Sequence, residues 1–161
     1  MTTPAVETVE RRLAWRGDNL VAYNSRAPEI LLEGPSGTGK TVTILHKLHD
    51  LACDHPGFRG LIVRKVAVTL GSTALATLEQ QVFAEWDNSA RKSVLDGVHY
   101  YGGSTREAEA YVYDNGSRIA IGGMDQASKV LGSFYDVIFF NQGEESTIED
   151  LETLKTRLRN G

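Results

Sequence analysis

The residues Gly34-Pro35-Ser36-Gly37-Thr38-Gly39-Lys40-Thr41 match every fixed position of G-x-x-x-x-G-K-[ST], the pattern of a loop that cradles the phosphates of a nucleotide. Glycines at 34, 37 and 39 let the chain wrap closely around phosphate oxygens. Amides at the start of the following helix then face the anion, with the helix dipole behind them. Lys40 is expected to reach the β- and γ-phosphates. Thr41 offers a hydroxyl to Mg²⁺, an ion that bridges phosphate oxygens and keeps much of its water shell. The chemistry is that of a nucleoside triphosphate, with ATP and Mg²⁺ as the expected ligands.

Such a loop needs a strand before it and a helix after it. The apolar run at 29–33 predicts a short buried strand, and the spacing of Ile44, Leu45, Leu48, Leu51 and Ala52 predicts a helix over 41–53 that stops at His55-Pro56-Gly57. The same pattern places His49 with Lys47 and Asp50 on the outward face, and His46, His49 and His55 read as solvated rather than metal-binding, for want of a partner at ligand spacing. The polar stretch 18–28 reads as a connection, and Tyr23 within it is a candidate for contact with the adenine ring. Residues 1–20 read as an N-terminal extension, with a short helix over 5–15.

At 161 residues the chain is about one domain long, with the composition of an ordinary globular protein. It has no apolar run of membrane-spanning length and no signal-peptide pattern at its start. The single Cys53 excludes an internal disulfide and reads as a small packed apolar residue. A net charge of −4 argues against coating by nucleic acid through bulk electrostatics, while leaving room for a local basic strip.

Further along, residues 60–65 predict a buried parallel strand ending in Arg64-Lys65, where α/β sheets place ligands, so Arg64 is a candidate phosphate contact. Leu75, Leu78, Val82 and Trp86 predict a long amphipathic helix from 69 to 86, capped by Thr69 or Ser72, with Trp86 in the core. Three short strands follow at 98–101, 110–113 and 118–121, the last two joined by the hairpin signal Asn115-Gly116. A short helix is expected over 126–131 and a central parallel strand over 136–141. A last helix is expected after the capping box Ser146 to Glu149, with Ile148, Leu151, Leu154 and Leu158 on its apolar side.

Several of these stretches together resemble the ATPase domain of phage terminase large subunits. They are residues 28–33 feeding the glycine loop, the strand 61–65, Gly122-Gly123-Met124-Asp125 followed by 129–133, and 135–145 ending in Asn141-Gln142-Gly143-Glu144-Glu145. The resemblance runs from about residue 20 to the end. It implies a three-layer P-loop NTPase fold of the ASCE type, with a mostly parallel sheet and a small antiparallel hairpin insertion. It also implies an ATPase that drives double-stranded DNA into a procapsid as a homo-oligomeric ring, pentameric in well-studied relatives. Its partners are the portal protein and the small terminase subunit, and its place is the host cytoplasm and, transiently, the portal. The chain as a whole then reads as the ATPase domain, and the nuclease domain of such proteins has no counterpart in these residues.

Relatives carry an acidic pair at the tip of the strand where this chain has Asn141-Gln142, and neither amide can take a proton from water. Either Glu144 or Glu145 reaches back to orient the water, or Gln142 stands in for a glutamate and traps ATP. Asn141 and Gln142 are the expected metal-side residues beside Thr41. The resemblance further implies a cation supplied to a neighbouring subunit, for which Lys129 and Arg118 are the leading candidates and Arg64 and Arg106 the others. Two other functions fit the loop: a helicase-like ATPase, and an assembly module that holds ATP without turnover.

Overall fold

The computed structural model describes residues 15–159, and the helix expected over 5–15 lies almost wholly outside them. Six strands form one mixed sheet: β1 (Arg59–Arg64), β2 (Lys92–Ser93), β3 (Val98–Tyr101), β4 (Glu109–Tyr113), β5 (Arg118–Gly123) and β6 (Val137–Phe140), in the order β2-β3-β4-β5-β1-β6. β1 runs parallel to β5 and β6, whereas the other three pairings are antiparallel. The sheet is therefore not mostly parallel. The Asn115-Gly116 hairpin joins β4 to β5 as expected, but β5 is also β1's neighbour, so the antiparallel strands form half of the sheet and not an insertion on it.

β1 reads Gly60-Leu61-Ile62-Val63 and is buried on both faces, as a strand flanked by two parallel neighbours must be. On one face, Ile62, Ile119 and Tyr111 pack under α2 (Lys40–Asp54) and a helical run from Ala67 to Val82. On the other, Leu61, Val63 and Ala120 pack under α3 (Ala127–Leu131) and α4 (Ile148–Lys155) through Val130 and Leu154. Each fully buried Leu or Ile contributes roughly 1.5–3 kcal/mol by leaving water, so each face has its own core. No helix among the described residues is long and apolar enough to cross a membrane.

The departures from expectation have local causes. The stretch expected to be a loop contains α1 (Asp18–Asn24), which α2 holds through the Lys47 ammonium on the carbonyls of Ala22 and Ser25. Residues 29–33 join no strand, and Leu31 is 89% exposed; apolar content suits a strand, but no strand lies alongside to complete a ladder. For the same reason β6 is the edge strand among the described residues and not a central one. Its free side is met only at Tyr135, by Leu158.

The run Ala67–Val82 is not one α-helix but 3₁₀ and π turns ending at Phe83. The Thr69, Thr73 and Thr77 hydroxyls donate back to carbonyls one turn earlier, and Gly71 interrupts the run. Its first amide, Ala67 N–H, is capped by Asp125 from across the sheet and not by Thr69 or Ser72. Trp86, beyond the run, stacks on Phe83 as core. The capping box before α4 sits one residue later than expected, on Thr147 and Asp150, and α4 buries Leu154 while Ile148 stays 78% exposed.

Three residues of α2 also differ. Cys53 is exposed and not packed, whereas His46 and His49 are buried and not solvated. His49 Nδ1 lies 3.0 Å from the Tyr113 hydroxyl and its ring packs on Phe83, with Asp96 3.9 Å from Nε2. Burial pulls its pKa below the ordinary value, and the nearby carboxylates of Asp96 and Asp50 only partly oppose this. The folded protein thus keeps His49 neutral at a pH where the unfolded chain takes up a proton. Stability is expected to fall as pH drops below about 6.5. Urea midpoints at pH 7.5 and 5.5 test this, and His49→Gln should flatten the slope.

Candidate functional site

Gly37 and Gly39 sit at φ 78° and 81°, a region that admits glycine without steric cost and turns the loop back on itself. Lys40 Nζ donates to the carbonyls of Gly34 (2.7 Å) and Pro35 (2.6 Å) and to Thr38 Oγ1 (3.1 Å). The Thr38 hydroxyl donates to Pro35 O, and Thr43 anchors the base of the loop through Gly39 O. The ammonium therefore lies across the mouth of the loop it would share with phosphate. One further contact was not read from the sequence: Asn19 on α1 donates from Nδ2 to Thr38 O at 2.7 Å. Its only sequence signal is an amide at the second position of the polar stretch 18–28.

The loop lies at the carboxyl end of the parallel strands. Leu48 of α2 packs where a side chain on Gly60 would begin, at 3.6 Å. From there Lys40 is about 12 Å back along the helix, and Arg64 is about 13 Å forward along β1. Because α2 and β1 join through a short turn, the helix N-terminus and the strand C-terminus point to one end of the sheet, where ligands of α/β folds bind. The tip of β6 ends there too.

At that tip Asn141 is 6% exposed, and its side-chain amide makes no hydrogen bond among the described residues. Gln142 follows at φ 56°, a left-handed position unusual for a residue other than glycine, and turns the chain into the 3₁₀ turn Gly143–Glu145. The two candidate carboxylates separate here. Glu145 accepts from the Arg64 guanidinium on both oxygens, at 2.9 Å from Nε and 2.6 Å from Nη2. Glu144 is exposed and has no partner among the described residues.

Arg64 itself is 8% exposed and also donates to Thr69 O. Its guanidinium, expected to meet a phosphate, is here paired with Glu145.

Of the other expected residues, Tyr23 donates its hydroxyl to Asp50, about three turns down α2 from the loop. Burial and that carboxylate push its pKa up to about 12. The side chain is thus not beside the loop. A groove of about 370 Å³ between α1 and residues 27–32 is lined instead by its neighbours Val21, Ala22 and Ser25, with Ile30 and Leu31 opposite.

Arg118 begins β5 in register with Arg59, at the far end of the sheet, and donates to Ala108 O with its guanidinium over the Tyr101 ring. Lys129 on α3 follows the near end of β5 and makes no ion pair among the described residues.

The described residues contain no group of three His, Cys, Asp or Glu side chains able to hold a metal. Thr41, Asn141 and Gln142 supply only neutral oxygens, which suit a Mg²⁺ ion arriving on nucleotide phosphates and not one caged by protein. The Gly122-Gly123-Met124-Asp125 stretch frames this end of the sheet. Gly122 admits Val130 of α3, Gly123 admits the backbone of Ala67, and Asp125 caps that same residue's amide. No family model matches the chain, and no match was found among curated proteins or solved structures.

Proposed function

We propose that this chain is a Mg²⁺-dependent ATPase, the motor domain of a viral terminase large subunit that moves double-stranded DNA into a procapsid. The observation that carries the ATPase reading is the loop at the head of the 15-residue α2, with Lys40 held across it and the tips of β1 and β6 at the same end of the sheet. The DNA-packaging reading and the three-layer P-loop fold rest on the resemblance of the motifs. So do a ring at the portal, the small-subunit partner and a site in the host cytoplasm.

In this reading the amides of 37–41 and Lys40 hold the phosphates, and the groove beside α1 receives the adenine ring. Thr41 and Asn141 would hold a Mg²⁺ ion arriving on the phosphates, and that ion would supply charge withdrawal from the γ-phosphoryl group. Water attacks the γ-phosphorus, the bond to the bridging oxygen breaks, and Glu144 takes the water's proton. Arg64 keeps Glu145 out of that role. Lys129, which makes no ion pair among the described residues, is the cation this reading assigns to a neighbouring subunit.

The test is hydrolysis per subunit as protein concentration rises. Wild type should speed up as the ring assembles, and Lys40→Ala should fall by about a hundredfold or more. The amides at Asn141-Gln142 favour a second reading, an assembly module that holds ATP without hydrolysis. Confirmed binding with no product at any concentration would select it.

A further inference from the structure

At the opposite end of the sheet from the glycine loop, residues 133–136 and 157–159 meet the start of β1. Tyr135 N–H donates to Arg157 O, and Arg159 N–H to Tyr135 O, both at 2.8 Å, which brings the two segments side by side. A groove of about 370 Å³ lies there, lined by Arg59, Ser133, Phe134 and Arg159. Phe134 is 52% exposed, an unusual state for a large aromatic, and the Arg157 guanidinium lies 5.7 Å from its ring centre.

Arg59 and Arg159 thus line the groove with this half-exposed ring and Arg157 lies beside it, and among the described residues the carboxylate tied to them is Asp136. It accepts from the Arg59 backbone amide and from Arg159 Nη2 through the same oxygen. That pairing holds Arg159 in place while leaving its side chain 44% exposed. The Arg59 side chain makes no hydrogen bond or ion pair among the described residues, and Arg157 Nε is buried without one. In a chain of net charge −4, this is a local excess of cation with donors left over.

We propose that this groove binds the sugar-phosphate backbone of a nucleic acid, with Arg59 and Arg159 on successive phosphates and Phe134 against a sugar or base. Guanidiniums that fork onto phosphate oxygens, set beside an aromatic face, are the combination nucleic-acid grooves use. A free phosphate would employ the arginines but not the ring, and an acidic peptide offers nothing flat for Phe134. The site is separate from the nucleotide loop and shares with the motor reading only its partner.

The experiment is fluorescence anisotropy of a labelled 20-base-pair duplex, and of the matching single strand, with the whole chain at 50 and 200 mM salt. Arg59→Glu is the main variant, because that side chain supports no contact within the fold. Phe134→Ala is the second, and Arg26→Glu, an exposed reversal elsewhere, is the control for net charge.

The proposal expects wild-type binding that weakens with salt. Arg59→Glu should lose about tenfold and show a salt slope shallower by about 1, Phe134→Ala should lose several-fold, and Arg26→Glu should change by less than twofold. Tighter binding of the single strand would assign Phe134 to base stacking, and equal binding to sugar contact; both support the groove. No binding of either probe at 50 mM salt, or equal losses for Arg59→Glu and Arg26→Glu, overturns it. Lys40→Ala should leave the isotherm unchanged; a wild-type protein that neither binds nor hydrolyses ATP, with Arg59-dependent binding intact, would remove the ATPase reading and leave this one standing.

Discussion

Glu144→Gln should lower the ATP turnover rate by about 10²–10⁴-fold while leaving the apparent affinity for ATP within about twofold. A base must present a free lone pair to water, and the two adjacent glutamates differ in this respect. Both oxygens of Glu145 already accept from the buried Arg64 guanidinium, so taking a proton there means giving up a charge-assisted pair. Glu144 has no such commitment, and the strand tip before it offers only the amides of Asn141 and Gln142. Glu145→Gln should cost far less in turnover and show itself in stability, because it leaves a buried guanidinium half paired. Steady-state kinetics on the two variants decide the matter. The opposite ranking would move the base to Glu145 and require Arg64 to let go of it during turnover.

Gly123→Ala should destabilise the fold by about 3 kcal/mol, lowering the unfolding midpoint by about 6–12 °C. A methyl at this position would lie 2.3 Å from the amide nitrogen of Ala67, 2.8 Å from its Cα and 2.1 Å from an Asp125 carboxylate oxygen. The first two are backbone atoms. They can be cleared only by separating the end of β5 from the chain that leaves β1, which also breaks the Asp125 cap on Ala67. Gly122→Ala is the instructive comparison. There the close atom, at 2.1 Å, is a methyl of Val130, a side chain that can shift, so the loss should be smaller. Thermal unfolding followed by circular dichroism measures both. A Gly123→Ala midpoint within about 2 °C of wild type would contradict the packing described here.

The parts of the molecule that were legible in its sequence are those whose signal is local. The glycine loop, the helix after it, the buried run of β1 and the Asn115-Gly116 hairpin each declare themselves within a few residues, and all four are present. What was not legible depends on partners distant in the chain. Residues 29–33 have the apolar content of a strand, but whether they pair is decided by what lies alongside. β5 looks like half of a hairpin until β1 takes its other edge, which is why the balance of parallel and antiparallel strands was misjudged.

His49 repeats the lesson on a helix. Its place among Lys47 and Asp50 suggests solvent, yet Tyr113 and Phe83 arrive from other elements and cover it. At the candidate site, Lys40 and Thr41 follow from the motif, whereas the different surroundings of Glu144 and Glu145 follow from Arg64, some eighty residues earlier. Asn19 and its contact to Thr38 were missed because α1 has little apolar stripe to announce it; only Ala22 of its residues is buried.

The central claim, that residues 34–41 hold the phosphates of ATP, is tested most directly by titrating Mg·ATP into the wild-type protein and into Lys40→Ala and following the heat of binding. The account predicts one site per chain in the wild type, with affinity reduced at least tenfold by removing an ammonium that meets the phosphates as a charged donor. It also predicts that AMP, which lacks the phosphates the loop encloses, competes poorly. Equal affinities for the two proteins, or AMP binding as tightly as ATP, would contradict it and place the nucleotide away from the loop.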